Sequence, residues 1–510
     1  MAQKKTPGVY VEEKSSFPPS VTGVATAVPA FIGYTEKGPV NNPTPISSLL
    51  EYQNIFGTGC EFTCSNNKLK GQEFVLYDSI RLYFDNGGGD CYVLSIGNYE
   101  SVPSADSYTG AFPMLEKTDD VTILLFPDAA TLLTSDELKN VQEQALKHCN
   151  DMGGRFTILD LSPVKIIKKG EKDPVYPEKT LEEDKVLTDL KTVMEQFRMI
   201  GANNLCYGAA YYPYLYSAYK KEIPASVVLE ALGAKKPEKK DPAVETDTED
   251  GPETTETTET TETTEATEVT ETTEVVLSAL DKAYVLSLSE DAEDALELAA
   301  MLPSIPGYAE KLDEFKVQAS IIPPSGAIAG IYAATDNRVG VWQAPANVSV
   351  VSINGLTELI SDSQQEGMNK PDKGKAINAI RYFKGKGFLV WGCRTLLGND
   401  AEWKYVNVRR FFNYVEQSLK SATDWAVFQP NDINTWIKIQ CQIENFLTTL
   451  WRDGALAGAT PDKAFFVEVG LGKTMDSNDI LEGNLRVRIG LAAVRPAEFI
   501  ILEFSHKVQE

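Results

Sequence analysis

The 510-residue sequence predicts a mixed α/β fold. Three observations carry that expectation. Apolar runs of strand length alternate with helix-spaced segments from Ala30 to Leu161. Two long amphipathic segments follow between Val408 and Asp453. After them come strands with a period of two, so that one face is wet. Alternating strands and helices argue for an open sheet covered by helices.

The elements follow in order. Ala30 to Tyr34 is a short apolar strand, and Ser47 to Phe56 a short helix. Phe74 to Phe84 has helical spacing and stops at Asn86-Gly87-Gly88-Gly89. Cys91 to Ile96, Val121 to Phe126 and Phe156 to Leu161 read as buried strands. Ser135 to Asn150 reads as a helix, with Ser135 as N-cap and Gly153-Gly154 beyond its end. Gly387 to Thr395 is a further strand. Val408 to Lys420 places Val408, Phe411, Phe412, Val415 and Leu419 on one face, and its Glu416–Lys420 pair has the favourable i,i+4 order. Asp432 caps the next helix, which ends near Gly454. Its apolar stripe is expected to hold Ile433, Trp436, Ile437, Ile443, Leu447, Leu450 and Trp451. Ala464 to Val469 and Leu485 to Val494 complete the pattern as strands.

Composition narrows the function. The net charge of −25 argues against a nucleic-acid backbone or an anionic membrane as the direct partner. Thirteen acidic residues and no basic one lie between Asp241 and Glu274, so about half of the excess sits in one tract. That tract, within residues 235–276, repeats Thr-Thr-Glu with a period that fits neither helix nor strand. It is expected to be a disordered surface insertion, since it lacks apolar surface to offset chain entropy. Lys165 to Lys185 reads as a second polar loop. Met1 to Lys14 has no apolar core of a secretory signal, and no run reaches membrane-span length. Seven cysteines at low density do not suggest a disulfide framework and fit synthesis in a reducing compartment, most simply the cytosol.

The residue types of a reaction centre are present but do not assemble into a pattern. Gly470 to Thr474 (GLGKT) resembles the tail of a phosphate loop, but Val467 stands where the first glycine is required. Ser325 in PPSGA lacks the glycine of a nucleophile elbow. The two histidines, His148 and His506, read as helix-end and chain-end residues. Cys60, Cys64, His148 and Cys149 could ligate zinc, though thiols in ordinary packing explain them as well. Asp85 to Asp90 (DNGGGD) reads as a glycine turn before a cation loop. No catalytic residue, metal site or cofactor is expected, and the chain is not expected to be an enzyme.

The chain ends are the most informative segments. Val9, Tyr10, Val11 and Glu12 form a short strand after a Pro-Gly turn, and Ser15 to Pro19 continues as an extended arm. Phe499, Ile500, Ile501, Leu502, Glu503 and Phe504, within 498–505, form a strand apolar on both faces. Such a strand wants cover on both sides. Either both ends belong to their own domain's sheet, or they are donated to the sheet edge of a neighbouring molecule. The pattern alone does not choose.

Stretches along the whole chain resemble the contractile tail sheath family of phages, R-type pyocins and extracellular contractile injection systems. They are TPGVYVEE (Thr6–Glu13), GVATAVPAFIGYTEKGP (Gly23–Pro39), FDNGGGDCYVLSIG (Phe84–Gly97) and IPPSGAIAGIYAATDNRVGVWQAPAN (Ile322–Asn347). The C-terminal part adds GKGFLVWGCRTL from Gly385, EWKYVNVRRFFNYVEQSL from Glu402, WAVFQPND from Trp425, ENFLTTLWRDGALAGATPDKAFFVEV from Glu444 and RPAEFIILEF from Arg495. The Thr-Thr-Glu tract and the long middle region depart from the family pattern. The resemblance implies that the two terminal strands are exchanged between subunits in a handshake. It also implies a core domain built from both chain ends (arm 1–22 and residues 345–510), with residues 23–344 inserted as an outer α/β domain. It implies hexameric rings of this chain stacked around an inner tube protein, bounded by baseplate and terminal cap proteins. Such particles assemble in the bacterial cytoplasm and act outside it after release. Ser15, Ser16, Arg495 and Pro496 are the expected hinges. Lys438, Asn445 and Arg452, on the polar side of the helix after Asp432, are the expected tube-facing residues, solvent or another subunit being the alternative for that face. A baseplate or tube-associated protein is the second expectation, and an α/β enzyme with a cryptic site the third.

Overall fold

The computed structural model describes residues 21–162, 166–167, 185–186, 190–234, 278–289, 291–369 and 375–499. The Thr-Thr-Glu tract, both terminal strands apart from Phe499, Ser15, Ser16 and His506 therefore lie outside the described residues. The chain divides into two compact units. Met1–Cys60, Glu73–Tyr219 and Ser320–Glu510 form one; Glu61–Gln72 and Lys220–Ala319 form the other.

The larger unit is organised by nine strands: β1 (Pro29–Gly33), β2 (Thr44–Ile46), β3 (Cys91–Ser95), β4 (Ile123–Leu125), β5 (Phe156–Asp160), β6 (Gly208–Tyr212), β7 (Val348–Ser349), β8 (Ile377–Phe383) and β9 (Gly387–Val390). Their order is β7-β9-β8-β6-β5-β4-β1-β3-β2. The run from β8 to β3 is parallel throughout, and β9, β7 and β2 are antiparallel additions at the two edges. A parallel centre requires helices on both faces, and the side chains alternate accordingly. Ala30, Ile32, Leu94, Leu124 and Leu159 point into one core with Leu138, Val141, Ala145 and Leu146 of α2 (Ser135–Met152). Phe31, Val93, Ile123, Leu125 and Ile158 point into the opposite core, with α1 (Leu76–Asp85) and α3 (Ser325–Arg338). The sheet draws strands from both sides of residue 345.

Several expected elements are adjusted. The cap of α2 is Thr134, one residue before Ser135, in a reciprocal capping box with Glu137. The strand expected over Gly387 to Thr395 stops at Val390. The polar segment after Pro163 closes on a two-residue ladder, Ile166–Ile167 against Lys185–Val186. The glycine turn after α1 wraps Tyr83: the Gly89 amide donates to its hydroxyl (3.1 Å), and a Cβ on Gly88 would overlap its ring.

α3 is a helix that the sequence pattern did not single out. Gly326 and Gly330 face α1, where a Cβ would collide with the carbonyl oxygens of Ser79 and Tyr83. Both helices of this face start on buried carboxylates supplied from the sheet side. Asp128 accepts the amides of Tyr34 (3.0 Å), Val75 and Leu76 (2.7 Å each). Asp160 accepts the Ser325 amide (3.1 Å) and its hydroxyl (2.5 Å). Burial pushes both carboxyls up to about 7, against the donors that pull them down. Ser325 is thus fully buried at a helix start.

The smaller unit joins a hairpin (Thr63–Ser65 with Lys68–Lys70) to helices Ala225–Ala231, Ala279–Ser287, Ala292–Met301 and Tyr308–Ala319. Leu69, Val228, Leu229, Tyr284 and Phe315 form its core. Residues on either side of the Thr-Thr-Glu tract, Ala234 and Ser278, belong to this unit.

Candidate assembly surface

A third core in the larger unit lies under α4 (Val406–Thr423), α5 (Ile433–Arg452) and a two-stranded sheet of β10 (Phe465–Val469) and β11 (Val487–Leu491). α4 buries Val406, Val408, Phe411, Val415 and Leu419. The Asp432 carboxylate caps α5 by accepting the Thr435 amide at 3.0 Å, which holds its own carboxyl below the usual range. Gln442 of α5 accepts from the Trp425 indole (2.9 Å) and donates to the Ala422 carbonyl (3.0 Å), fixing α5 to the end of α4.

The apolar face of α5 is Ile439, Ile443, Phe446, Leu447 and Leu450. Ile433 and Ile437, expected inside, are 61% and 53% exposed. They extend the outer face, where Lys438, Asn445 and Arg452 are all exposed. These three stand seven residues apart, about two turns, and so form one stripe along roughly 21 Å of helix. Cys441, the only fully exposed one of the seven cysteines, lies on the same stripe. On α4, Glu416 pairs with Arg409 (3.1 Å) instead of showing the expected bond to Lys420.

In the β10–β11 pair, Phe465, Val467 and Val469 stand opposite Leu491, Ile489 and Val487, and all but Val469 pack into the third core. The outer face shows Phe466, 51% exposed, and the Glu468–Arg488 pair at 3.5 Å. Among the described residues this sheet has two strands only, so each strand has a free edge. Backbone donors and acceptors along such an edge are a template for an added strand. The GLGKT segment is the turn that leaves β10: Thr474 accepts the Gly470 amide (3.2 Å) and donates to the Arg486 carbonyl (2.6 Å).

Both arm roots are tied to this region. Near the N-terminus, the Val24 amide donates to Ser418 (3.2 Å), and the Thr26 carbonyl accepts from Arg410 (2.9 Å). Arg410 is buried beneath a two-point pair with Asp336 of α3 (2.6 and 3.1 Å) and lies over the Tyr332 ring. Near the C-terminus, Arg394 grips Glu498 with two nitrogens (2.9 and 2.5 Å). Asn369 (2.7 Å) and Tyr405 (3.3 Å) donate to the same carboxylate. Phe499, the next residue, is 61% exposed. Arg495 and Pro496 sit between this grip and Val494, whose amide bonds the Ala455 carbonyl at 3.3 Å. Arg394, Arg410, Asp336 and Glu498 were not singled out from the sequence. Their partners stand 74 and 104 positions apart, and no local spacing reports such pairs.

The candidate chemical groups are scattered. His148 is buried against Arg155, and its burial, with the Arg155 charge beside it, lowers its pKa to about 4. Cys149 is buried in the core under α2, and burial pushes its thiol well up. Among the described residues no group of three or more potential ligands converges on a metal position, and no helix is long and apolar enough to cross a membrane.

Comparison with known proteins agrees with this arrangement. Residues 399–507, which carry α4, α5 and the β10–β11 sheet, match the phage tail sheath C-terminal domain. The tail sheath protein of Vibrio phage KVP40 is 27% identical over 158 residues, 31% of this chain and 23% of that protein. A putative prophage major tail sheath protein of Pseudomonas aeruginosa is 24% identical over 176 residues, 34% of this chain and 44% of that one. The matched stretches thus span less than half of these curated relatives. The fold likeness is end to end: the sheath complex of the extracellular contractile injection system PVC, in its contracted state, covers 100% of this chain and 99% of its own. Its TM-score is 0.61 at 27% identity. The contracted helical sheath of the anti-feeding prophage gives 0.60 at 25% identity, covering 99% of this chain and 100% of its own. The fold is that of contractile sheath proteins. The chain is thus similar to contractile tail sheath proteins in sequence over residues 399–507 and in fold along its whole length.

Proposed function

We propose that this chain polymerises as hexameric rings around an inner tube in an extended, metastable state, and that contraction of the sheath drives the tube through a target envelope. The edges of β10 and β11, unpaired among the described residues, carry this reading. They are complementary in hydrogen bonding to the terminal strands Val9–Glu12 and Phe499–Phe504, donated by neighbouring copies. Such backbone ladders persist while the bodies they connect rotate. The compact state is lower in free energy because it buries more subunit surface. Each additional 100 Å² of apolar area per copy contributes about 2.5 kcal/mol. No reaction chemistry, nucleotide, cofactor or direct nucleic-acid or membrane contact enters this scheme. The partners are the chain itself, the tube, the baseplate and a terminal cap. Synthesis is in the bacterial cytoplasm and action outside the cell after release.

The tube-side core lies in the α4–β11 layer, within residues 345–510, with the arm 1–22 attached to it. The exposed stripe of α5 faces the tube. A stripe holding two cations and amides suits a contact that must hold and then release, since exposed ion pairs are individually weak, about 0–1 kcal/mol. Cys441 reports on this directly. Its alkylation, followed by mass spectrometry, is expected to be fast in the free subunit, strongly slowed in extended particles and fast again after contraction. Equal rates in all three states contradict a tube-facing α5.

One observation favours a second reading. A chain of the anti-feeding prophage baseplate structure matches with TM-score 0.60 at 25% identity. Negative-stain microscopy separates the two. Long helical tubes grown from the purified chain are the expected result, whereas small rings or monomers alone favour a baseplate component.

A further inference from the structure

Glu498 stands immediately before Phe499–Phe504, the apolar run that the sequence predicts to be a strand, yet it is heavily bonded to the body. Its carboxylate takes four hydrogen bonds from three side chains: two from Arg394, one each from Asn369 and Tyr405. Arg394 is itself rigid. It is 3% exposed, and its remaining nitrogen donates to the carbonyls of Asn369 and Gly398 at 2.9 Å each. Its own amide accepts further restraint by donating to Asn378 of β8 (2.7 Å), so the socket is bolted to the nine-stranded sheet. A bidentate arginine–carboxylate pair is stronger than neutral hydrogen bonds and fixes the geometry of the chain it holds. A carboxylate this far into a cleft must have such a partner to be stable there.

Nothing in the packing of the core needs this. Val494 already closes the core by bonding Ala455, and Asn407 donates to its carbonyl (3.4 Å). The four residues after Val494 add a second, polar attachment to a different part of the body. Arg495 and Pro496, expected as hinges, are therefore tethered on both sides.

We propose that the Arg394–Asn369–Tyr405 socket is an anchor for the C-terminal arm: it takes up tension from the neighbouring copy at Glu498 and passes it to the central sheet, so that the arm turns only beyond Glu498. This rests on the sheath reading above and adds a residue to it. The anchor separates two duties. The strand beyond it binds the neighbour, while the socket keeps the pull from peeling β11 off the α4–α5 layer.

The test uses the full chain carrying Glu498→Gln, which preserves size and removes the charge, with Tyr405→Phe as a milder second variant. Hydrogen exchange in the isolated subunit reads the socket itself. Amides of Val494–Phe499 are expected to exchange about tenfold faster or more in Glu498→Gln, with α4 and α5 unchanged. Electron microscopy then reads the duty. Extended sheaths of Glu498→Gln are expected to form and to break into short pieces when contraction is triggered, with Tyr405→Phe intermediate. Unchanged exchange at the root, or contracted sheaths as long as those of the unaltered chain, overturns the anchor. If Glu498→Gln loosens α4 and α5 as well, the socket is part of the core and the proposal also fails. Failure of the unaltered chain to build any sheath instead removes the sheath reading, and the exchange arm still decides whether the socket holds the root.

Discussion

Deleting Met1–Lys14 is expected to leave a subunit that folds and melts like the full chain but builds no sheath. Among the described residues, the N-terminal contacts that hold the body together begin at Val21, which packs on the third core, and Val24, bonded to Ser418. The deletion removes none of them, so circular dichroism and thermal unfolding should be unchanged. What it removes is Val9–Glu12, the strand assigned to a neighbour's sheet edge. Each lost ladder bond is worth only about 0.5–1.5 kcal/mol net. A strand supplies several, however, and every junction in the lattice loses them together. Growth of a helical polymer depends on that sum, so the loss reads as all or none in electron micrographs. Tubes of ordinary length from the shortened chain contradict strand donation by the N-terminal arm.

The second large effect is on stability. Asp336→Ala is expected to cost about 3–5 kcal/mol, because it leaves Arg410 buried without its counter-charge. Arg410 is 3% exposed and Asp336 4%, so water replaces neither partner. The loss also frees the guanidinium that holds the Thr26 carbonyl and so loosens the N-terminal root. Glu416→Ala is the comparison. Its partner Arg409 is buried, but Glu416 is half exposed and screened, so its loss should cost about 1 kcal/mol or less. Denaturant titration of both variants checks the ranking, and a cost for Asp336→Ala as small as that for Glu416→Ala would contradict it.

What could be read from the sequence follows from where each residue sits. α5 was legible to the residue because its boundaries are chemical: Asp432 caps one end and Gly454, in the left-handed region, follows the other. Its face was less legible. Ile433 and Ile437 fit an apolar stripe by spacing yet lie exposed, and a residue that meets another molecule has the same pattern as one that meets its own core. α3 escaped because it is buried on nearly every side and has no polar period to detect. Its two glycines permit α1 and α3 to touch backbone to backbone. Glu498 was one of 73 acidic residues, and only the fold brings it to Arg394. The family resemblance reached the arms before any of this geometry, since RPAEFIILEF and TPGVYVEE are local strings. It did not reveal that the C-terminal arm is gripped at its root.

Exchange of terminal strands between copies is the central claim, and one measurement tests it most directly. In a cryo-electron microscopy map of the assembled sheath, the chain is traced continuously from Val21 back to Val9 and from Phe499 on to Phe504. Strand donation predicts that both segments add to the free edges of β10 and β11 on neighbouring copies. Both segments paired to the sheet of their own molecule, in an intact particle, would contradict it.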